Sequence, residues 1–130
     1  TRFIELAGEV NMAMPGWVVQ RARKALDDAG VAIRGARILV LGMAYKPDID
    51  DIRESPAMAI ARALAARDEV TLLACDPNLV EADGLELVPL DEALARADII
   101  LGLVAHREFK RIDRRQLQER VLIDTCGIFQ

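Results

Sequence analysis

Histidine, cysteine and aromatic residues are scarce in this chain of 130 residues. His106 is its one histidine, and Cys75 and Cys126 are its two cysteines, without CxxC spacing. Soft ligands this few and this far apart along the chain do not make a zinc site. We therefore expect two separate, reduced thiols and no metal site.

Long apolar runs and basic stretches are also missing. No run approaches the roughly 18 apolar residues of a membrane span, and no charged-then-apolar leader opens the chain. The net charge is -4, and the basic residues are scattered among acidic ones, an arrangement unsuited to nucleic acid. We expect a cytoplasmic protein with neither a membrane nor a nucleic-acid partner.

The composition that remains suits a single globular core. Of the residues, 52% are hydrophobic and 29% are charged, and a chain of this length holds one domain. The chain begins at Thr1 rather than at a methionine, and it ends at Gln130 soon after an apolar run. We expect it to be a piece of a longer protein.

Two helices are predicted in the first 30 residues, broken near Met14 and followed by Gly30 as a C-terminal cap. Their apolar positions recur at helical spacing. The first stripe, in residues 2–10, is Phe3, Leu6, Ala7 and Val10, and the second, after Pro15, is Trp17, Val18, Ala22, Ala25 and Leu26.

From residue 31 onward, strand-like apolar runs alternate with helical stretches. Strands are predicted over 37–42, 69–75, 98–105 and 120–124, with a minor strand at 85–88, and helices over 56–67, 90–97 and 114–119. Ser55 suits the N-cap of the first of these helices and Pro56 its first position. Runs such as 38–41 are apolar without alternation, which indicates strands covered on both faces. The predicted fold is a Rossmann-like, three-layer α/β/α domain with a mostly parallel sheet.

Ligands of such sheets bind outside the carboxyl ends of the strands, where the strand order reverses, so the segment after the first of these strands is the candidate site. It has one glycine followed by a long charged loop, unlike the GxGxxG turn of a dinucleotide-binding protein. Lys46 and Arg53 lie near a helix N-terminus and favour an anion. The alternative is a solvated loop in which Arg53 pairs with Asp50 or Asp51.

The segment 42–56, Gly-Met-Ala-Tyr-Lys-Pro-Asp-Ile-Asp-Asp-Ile-Arg-Glu-Ser-Pro, closely resembles a long motif of the UDP-glucose/GDP-mannose dehydrogenase family. The resemblance continues through 76–78, 90–94, 103–109 and 123–127, and so covers essentially the whole chain. Residues 9–17 and 49–53 resemble most the branch of the family that acts on UDP-N-acetyl-D-mannosamine. UDP-glucose is the other substrate that the resemblance allows.

The resemblance implies the C-terminal, UDP-sugar-binding domain over residues 31–130, preceded in 1–30 by the end of a central helical domain. Such enzymes oxidise a sugar C6 alcohol to the acid with two NAD molecules, bound mainly by an N-terminal domain, and are homodimers or larger. Tyr45 and Lys46 would contact the UDP-sugar, and Arg53 would reach NAD across the cleft. The N-terminal and central domains would be partners of this one.

Cys126 stands where the family usually has a basic, substrate-contacting residue, after Asp124 and Thr125 and before Gly127. We predict that Cys126 occupies a substrate-binding position at which the family's basic contact is lost or replaced. The family's catalytic cysteine and lysine lie upstream of the segments matched here. The chain is therefore predicted to hold no catalytic residue and to be inactive alone.

Two other interpretations are weighed. The chain is alternatively a stand-alone, flavodoxin-like signalling or binding module with Asp48, Asp50 and Asp51 around a metal ion. A third possibility is self-assembly through the N-terminal apolar stripe. Of the remaining polar residues, Asp76 is predicted to form an Asx-type turn and His106 to lie on the surface.

Overall fold

Five parallel strands form one sheet in the computed structural model, which describes residues 2–5, 15–28, 30, 32, 34–53, 55–82, 84–118 and 120–129. The strands are β1 (Arg2–Glu5), β2 (Ala36–Leu41), β3 (Val70–Cys75), β4 (Ile99–Gly102) and β5 (Val121–Asp124), in the order β1-β5-β4-β2-β3. The helices are α1 (Pro15–Asp28), α2 (Pro56–Ala65) and α3 (Leu90–Arg96), and two 3-10 turns cover Phe109–Arg111 and Arg114–Leu117.

Strand β2 shows why the sheet lies between two helical layers. Ile38 and Val40 pack in one core cluster with residues of α1 and α2, whereas Leu39 and Leu41 pack in a second cluster with residues of α3. All four side chains are fully buried. An uninterrupted apolar run is thus needed, because both faces of the strand are covered. The predicted three-layer α/β/α fold is confirmed.

The crossovers place a reversal of strand order between β2 and β4. Helix α2 leads from β2 outward to β3 at the edge, and α3 leads from β3 back past β2 to β4. The connections that follow β2 and β4 therefore run in opposite directions. This is the position where open parallel sheets form a ligand crevice at the carboxyl ends of their strands.

Helix α2 begins where the sequence predicts. The Ser55 hydroxyl accepts a hydrogen bond from the Met58 backbone N–H at 3.1 Å, and Pro56 occupies the first turn, where its missing N–H is not needed. Helix α1 likewise begins at Pro15, and Gly30 follows it with φ 76°. Both helical predictions are confirmed.

The prediction of a helix over 2–10 is wrong for residues 2–5. Arg2–Glu5 forms strand β1, which pairs in parallel with β5 in the register Phe3 to Leu122. Four residues with apolar Phe3 and Ile4 are too few to separate a period of 3.6 from a period of 2, and pairing with β5 decides the outcome. Leu6, Ala7 and Val10 of the predicted stripe lie outside the described residues.

Two C-terminal elements are shorter than predicted. Strand β4 ends at Gly102. The backbone N–H groups of Leu103 and Val104 then both donate to the Leu41 carbonyl oxygen, which does not continue the strand pairing. The predicted helix over 114–119 is a single 3-10 turn. None of the helices in the described ranges is long and apolar enough to cross a bilayer. The predicted domain boundary at residue 30 stays a prediction; α1 itself packs against α2.

Candidate functional site

The candidate site lies at the carboxyl edge of the sheet, where the segments after β2, β3, β4 and β5 meet. All these strands are parallel, so their carboxyl ends share one edge. The segment from Gly42 to Ser55, called the β2–α2 loop below, leaves this edge at the reversal between β2 and β4. The loop thus occupies the position where the fold class binds its ligands.

Gly42 allows the β2–α2 loop to leave the sheet. Its φ is 93°, and a Cβ at this position would lie 2.6 Å from the Val104 Cβ and 3.0 Å from the Val104 carbonyl oxygen. Real Cβ atoms do not come this close, so a side chain here would force the backbones after β2 and β4 apart. The first glycine of the motif is therefore required by a close approach between two neighbouring strand ends.

Asp76, the residue after β3, holds the start of the loop. Its buried carboxylate accepts hydrogen bonds from the backbone N–H groups of Met43 at 2.9 Å and Ala44 at 3.3 Å. It also accepts from the Asn78 N–H at 2.9 Å, which is the predicted Asx turn. The Ser55 hydroxyl donates to the Met43 carbonyl oxygen at 2.7 Å. The two ends of the loop are thereby tied to each other and to β3.

His106 was predicted on the surface, and this is wrong: its relative exposure is 0%. The imidazole Nε2 lies 2.9 Å from the Asp76 carboxylate, and Nδ1 accepts from the Asp48 backbone N–H at 2.7 Å. The Asn78 side-chain nitrogen lies 3.0 Å from Nδ1. A signal was present in the sequence, because His106 and Asp76 both closely follow buried strands that end at one edge. That signal predicts a contact between His106 and Asp76 only once the strand order is known.

Tyr45 and Lys46 are close together on the exposed part of the loop. The Tyr45 side chain is half exposed, and the Lys46 ammonium lies 5.9 Å from the centre of the Tyr45 ring. The Tyr45 backbone N–H donates to the Asp51 carbonyl oxygen at 2.7 Å, which folds the loop back on itself. An aromatic ring and an ammonium group are thereby presented together from an anchored backbone.

Arg53 pairs with Asp51, one of the two partners considered from the sequence. Its guanidinium donates to the carboxylate through Nε at 3.0 Å and Nη2 at 2.9 Å, while 87% of the side chain stays exposed. The hydrogen bonds from the Arg53 side chain and backbone lower the pKa of Asp51 to about 2. Because Asp51 folds back onto Tyr45, Arg53 belongs to the same surface as Tyr45 and Lys46.

Cys126 follows β5 at the same edge but on the far side of β4. Strands β5 and β2 are separated by two strand spacings, roughly 10 Å. The residue as a whole is exposed, but burial of the thiol itself, together with the Asp124 carboxylate, raises the pKa of Cys126 to about 12. A thiol with so high a pKa is a poor nucleophile. Cys75 is buried in β3, and burial raises its pKa to about 12 as well.

Asp124 shapes the turn that carries Cys126. Its fully buried carboxylate accepts backbone hydrogen bonds at 2.9–3.1 Å from four successive residues, Cys126, Gly127, Ile128 and Phe129. These N–H groups are thus satisfied within the chain. An anion at this end of the site must be met by side chains rather than by the backbone of this turn.

Two of the described acidic residues of the loop, Asp48 and Asp51, already have partners within the chain. The Asp48 carboxylate accepts from the Arg107 backbone N–H at 2.8 Å, and Asp51 is paired with Arg53. These contacts hold Asp48 and Asp51 to different cationic partners. Within the described ranges, no three His, Cys, Asp or Glu side chains are placed to hold a metal ion. The metal-dependent module has no support in this part of the chain.

A long loop that carries Lys46 and Arg53 and is anchored at the strand-order reversal defines the class: a Rossmann-like α/β domain with a candidate ligand site at its carboxyl edge. The model of the UDP-glucose/GDP-mannose dehydrogenase family, UDP binding domain, matches residues 39–130. The chain therefore belongs to the UDP-glucose/GDP-mannose dehydrogenase family. This confirms the resemblance seen in the sequence.

Similar proteins are named as dehydrogenases of nucleotide sugars. UDP-N-acetyl-D-mannosamine dehydrogenase of Salmonella typhimurium is 40% identical over 138 residues, covering 99% of this chain and 33% of that protein. NDP-N-acetyl-D-galactosaminuronic acid dehydrogenase of Ralstonia solanacearum is 37% identical over 132 residues, covering 98% and 30%. The crystal structure of NDP-N-acetyl-D-galactosaminuronic acid dehydrogenase from Methanosarcina mazei superposes with a TM-score of 0.79 at 25% identity, covering 92% and 26%. The chain thus spans about a third of the curated relatives' length.

Proposed function

We propose that this chain is the C-terminal, UDP-sugar-binding domain of an NAD-dependent dehydrogenase that oxidises the C6 alcohol of the sugar to the acid. The substrate is UDP-N-acetyl-D-mannosamine, with UDP-glucose as the alternative. The observation that carries the proposal is the exposed Tyr45–Lys46 pair on a loop anchored at the strand-order reversal. The catalytic residues and most of the NAD site lie in segments outside this chain.

Tyr45 and Lys46 are proposed to bind the nucleotide sugar. A lysine ammonium is a compact donor for phosphate or sugar oxygens, and no acidic side chain among the described residues forms an ion pair with Lys46. The adjacent aromatic ring offers an apolar face to a sugar or a base. Asp76 and Ser55 hold the backbone just before this pair, and the Tyr45 N–H is bonded to the Asp51 carbonyl oxygen, so less ordering is needed when the ligand binds.

Arg53 is proposed to contact NAD held by the rest of the enzyme, where NAD accepts the hydride from the sugar. The guanidinium is mostly exposed and is oriented by Asp51, so it is available to a ligand that approaches from outside this domain. A planar guanidinium donates two parallel hydrogen bonds to a phosphate. A phosphate contact at Arg53 would compete with Asp51 or share the guanidinium with it.

We propose that Lys46→Ala weakens binding of UDP and of UDP-N-acetyl-D-mannosamine by this chain about tenfold, since one charge-assisted hydrogen bond is lost. Isothermal titration calorimetry measures the affinities. Lys110→Ala is the matched control, because Lys110 is another exposed lysine that lies after β4 and outside the β2–α2 loop. The proposal is wrong if the two variants bind equally well, or if the parent chain binds neither ligand.

The position of Cys126 offers a gain-of-binding prediction. Cys126→Arg restores the basic side chain that the family usually has here, on a turn whose backbone is already held by Asp124. Affinity for the UDP-sugar is expected to rise about tenfold, whereas Cys126→Ser should bind within about twofold of the parent. Unchanged affinity in the arginine variant, measured by the same calorimetric titration, would remove Cys126 from the proposed substrate site.

The complete enzyme is proposed to be a cytoplasmic homodimer or larger oligomer, with its dimer contacts in the central helical domain. Of the N-terminal stripe proposed for assembly, Phe3 lies in β1 and Leu6 and Val10 fall outside the described residues. Size-exclusion chromatography of the chain with and without residues 1–30 tests that third possibility. Self-association that persists without these residues would argue against it.

A further inference from the structure

The chain's single histidine is the feature that the proposed function leaves unused. His106 is fully buried just after β4, where it joins the residue after β3 to the middle of the β2–α2 loop. Asp76 and Ser55 hold only the two ends of this loop. The hydrogen bond from the Asp48 backbone N–H to the His106 imidazole holds the stretch between Lys46 and Arg53, the two cations proposed to bind ligands.

The contacts of His106 define its tautomer. The Asp48 backbone N–H can only donate, so Nδ1, at 2.7 Å, is the acceptor and carries no proton. Nε2 then carries the proton and donates it to Asp76 at 2.9 Å. The Asn78 amide nitrogen is a second donor toward Nδ1 at 3.0 Å. A carboxylate on one ring nitrogen and donors on the other thus specify the neutral imidazole with its proton on Nε2.

We propose that His106 is a positioning residue of the nucleotide-sugar site. Acting as an Nδ1 acceptor oriented by Asp76, it holds the Asp48 backbone and so sets where Lys46 is presented. This inference rests on the proposed function, because Lys46 must bind the ligand for its position to matter. Asp48 has φ 64°, a conformation that an L-residue rarely adopts, and the hydrogen bond to His106 helps to retain it.

Two amide substitutions separate the ring nitrogens of His106. His106→Asn places its side-chain oxygen where Nδ1 was, so the bond from the Asp48 N–H is kept and the bond to Asp76 is lost. His106→Gln places its amide nitrogen where Nε2 was, so the bond to Asp76 is kept and the anchor on Asp48 is lost. Each variant removes one side of the network, and both insert a polar amide into the same buried space.

The positioning role predicts different behaviour in the two variants. His106→Gln should weaken UDP binding about tenfold and speed hydrogen exchange of the Asp48 amide, whereas His106→Asn should bind within about threefold of the parent and keep that amide protected. A merely structural histidine would give equal losses of stability, affinity and protection in both variants, and that result overturns the proposal.

Imidazole ¹⁵N NMR of the unliganded chain tests the tautomer directly, and its one histidine gives a single pair of ring signals. Protonated Nε2 and unprotonated Nδ1 are expected, and the reverse tautomer overturns the proposal. A parent chain that fails to bind UDP refutes the proposed function, and with it the role in binding. In that case the tautomer and the Asp48 exchange rates, which need no ligand, still show whether His106 holds the loop as described.

Discussion

Replacing Gly42 by alanine is expected to lower the free energy of unfolding by about 3 kcal/mol or more, combining an unfavourable φ with overpacking. The added Cβ would meet the Val104 side chain at 2.6 Å, and φ at this position is 93°. Because the contact joins the ends of β2 and β4, the substitution should also displace the β2–α2 loop. Urea denaturation measures the stability, and UDP titration measures the binding loss that should accompany it.

Gly84 provides the matched control for this experiment. Its φ is 92°, nearly that of Gly42, but a Cβ there would have nothing within 4 Å. Gly84→Ala therefore reports the conformational strain alone, about 1 kcal/mol. If Gly42→Ala lowers the free energy of unfolding no more than Gly84→Ala does, the ends of β2 and β4 can separate at little cost, and the close contact with Val104 does not require glycine.

Replacing Asp124 by alanine is expected to destabilise the chain by about 3 kcal/mol or more, because it removes the shared acceptor of a whole turn of backbone N–H groups, including the buried one of Ile128. The carboxylate accepts from four consecutive backbone N–H groups, from Cys126 to Phe129, and is fully buried. Asp124→Asn should be intermediate, since one oxygen remains while the new amide group must face an N–H donor. Thermal and urea unfolding measure both effects.

Asp113 serves as the comparison for Asp124. It also accepts a backbone hydrogen bond, from the Arg115 N–H at 2.9 Å, but it is exposed at the start of a 3-10 turn. Asp113→Ala should therefore destabilise by only about 1 kcal/mol, the usual effect of losing a cap. Similar losses at the two positions would mean that burial of the Asp124 carboxylate adds nothing to its role.

Most of the sheet could be predicted from local sequence, for a physical reason. Both faces are covered along most of β2 to β5, so apolar residues run with little alternation and the strands stand out against charged surroundings. The start of α2 was equally clear, because Ser55 and Pro56 satisfy requirements that arise within one helical turn. Where such local requirements were weak, as in Arg2–Glu5, the prediction was wrong.

The roles of the candidate site residues were harder to predict. Arg53 pairs with Asp51, one of its two predicted partners. This pairing could be predicted because residues so close along the chain meet in almost any loop. By contrast, His106 meets Asp76 across 30 residues and Asp48 across 58. Their contact exists only because β4 and β3 lie on either side of β2. A histidine after an apolar strand has no local feature that reveals such partners.

By itself the sequence determined the layered α/β class, the capped start of α2, the long charged loop after β2 and the family motif that this loop carries. Each of these depends on residues close together in the chain. Only the tertiary structure decided that β1 joins the sheet, that Gly42 meets Val104 and that His106 is buried on Asp76. These features depend on which strands become neighbours, and that choice is set by the packing of the whole sheet between its helices.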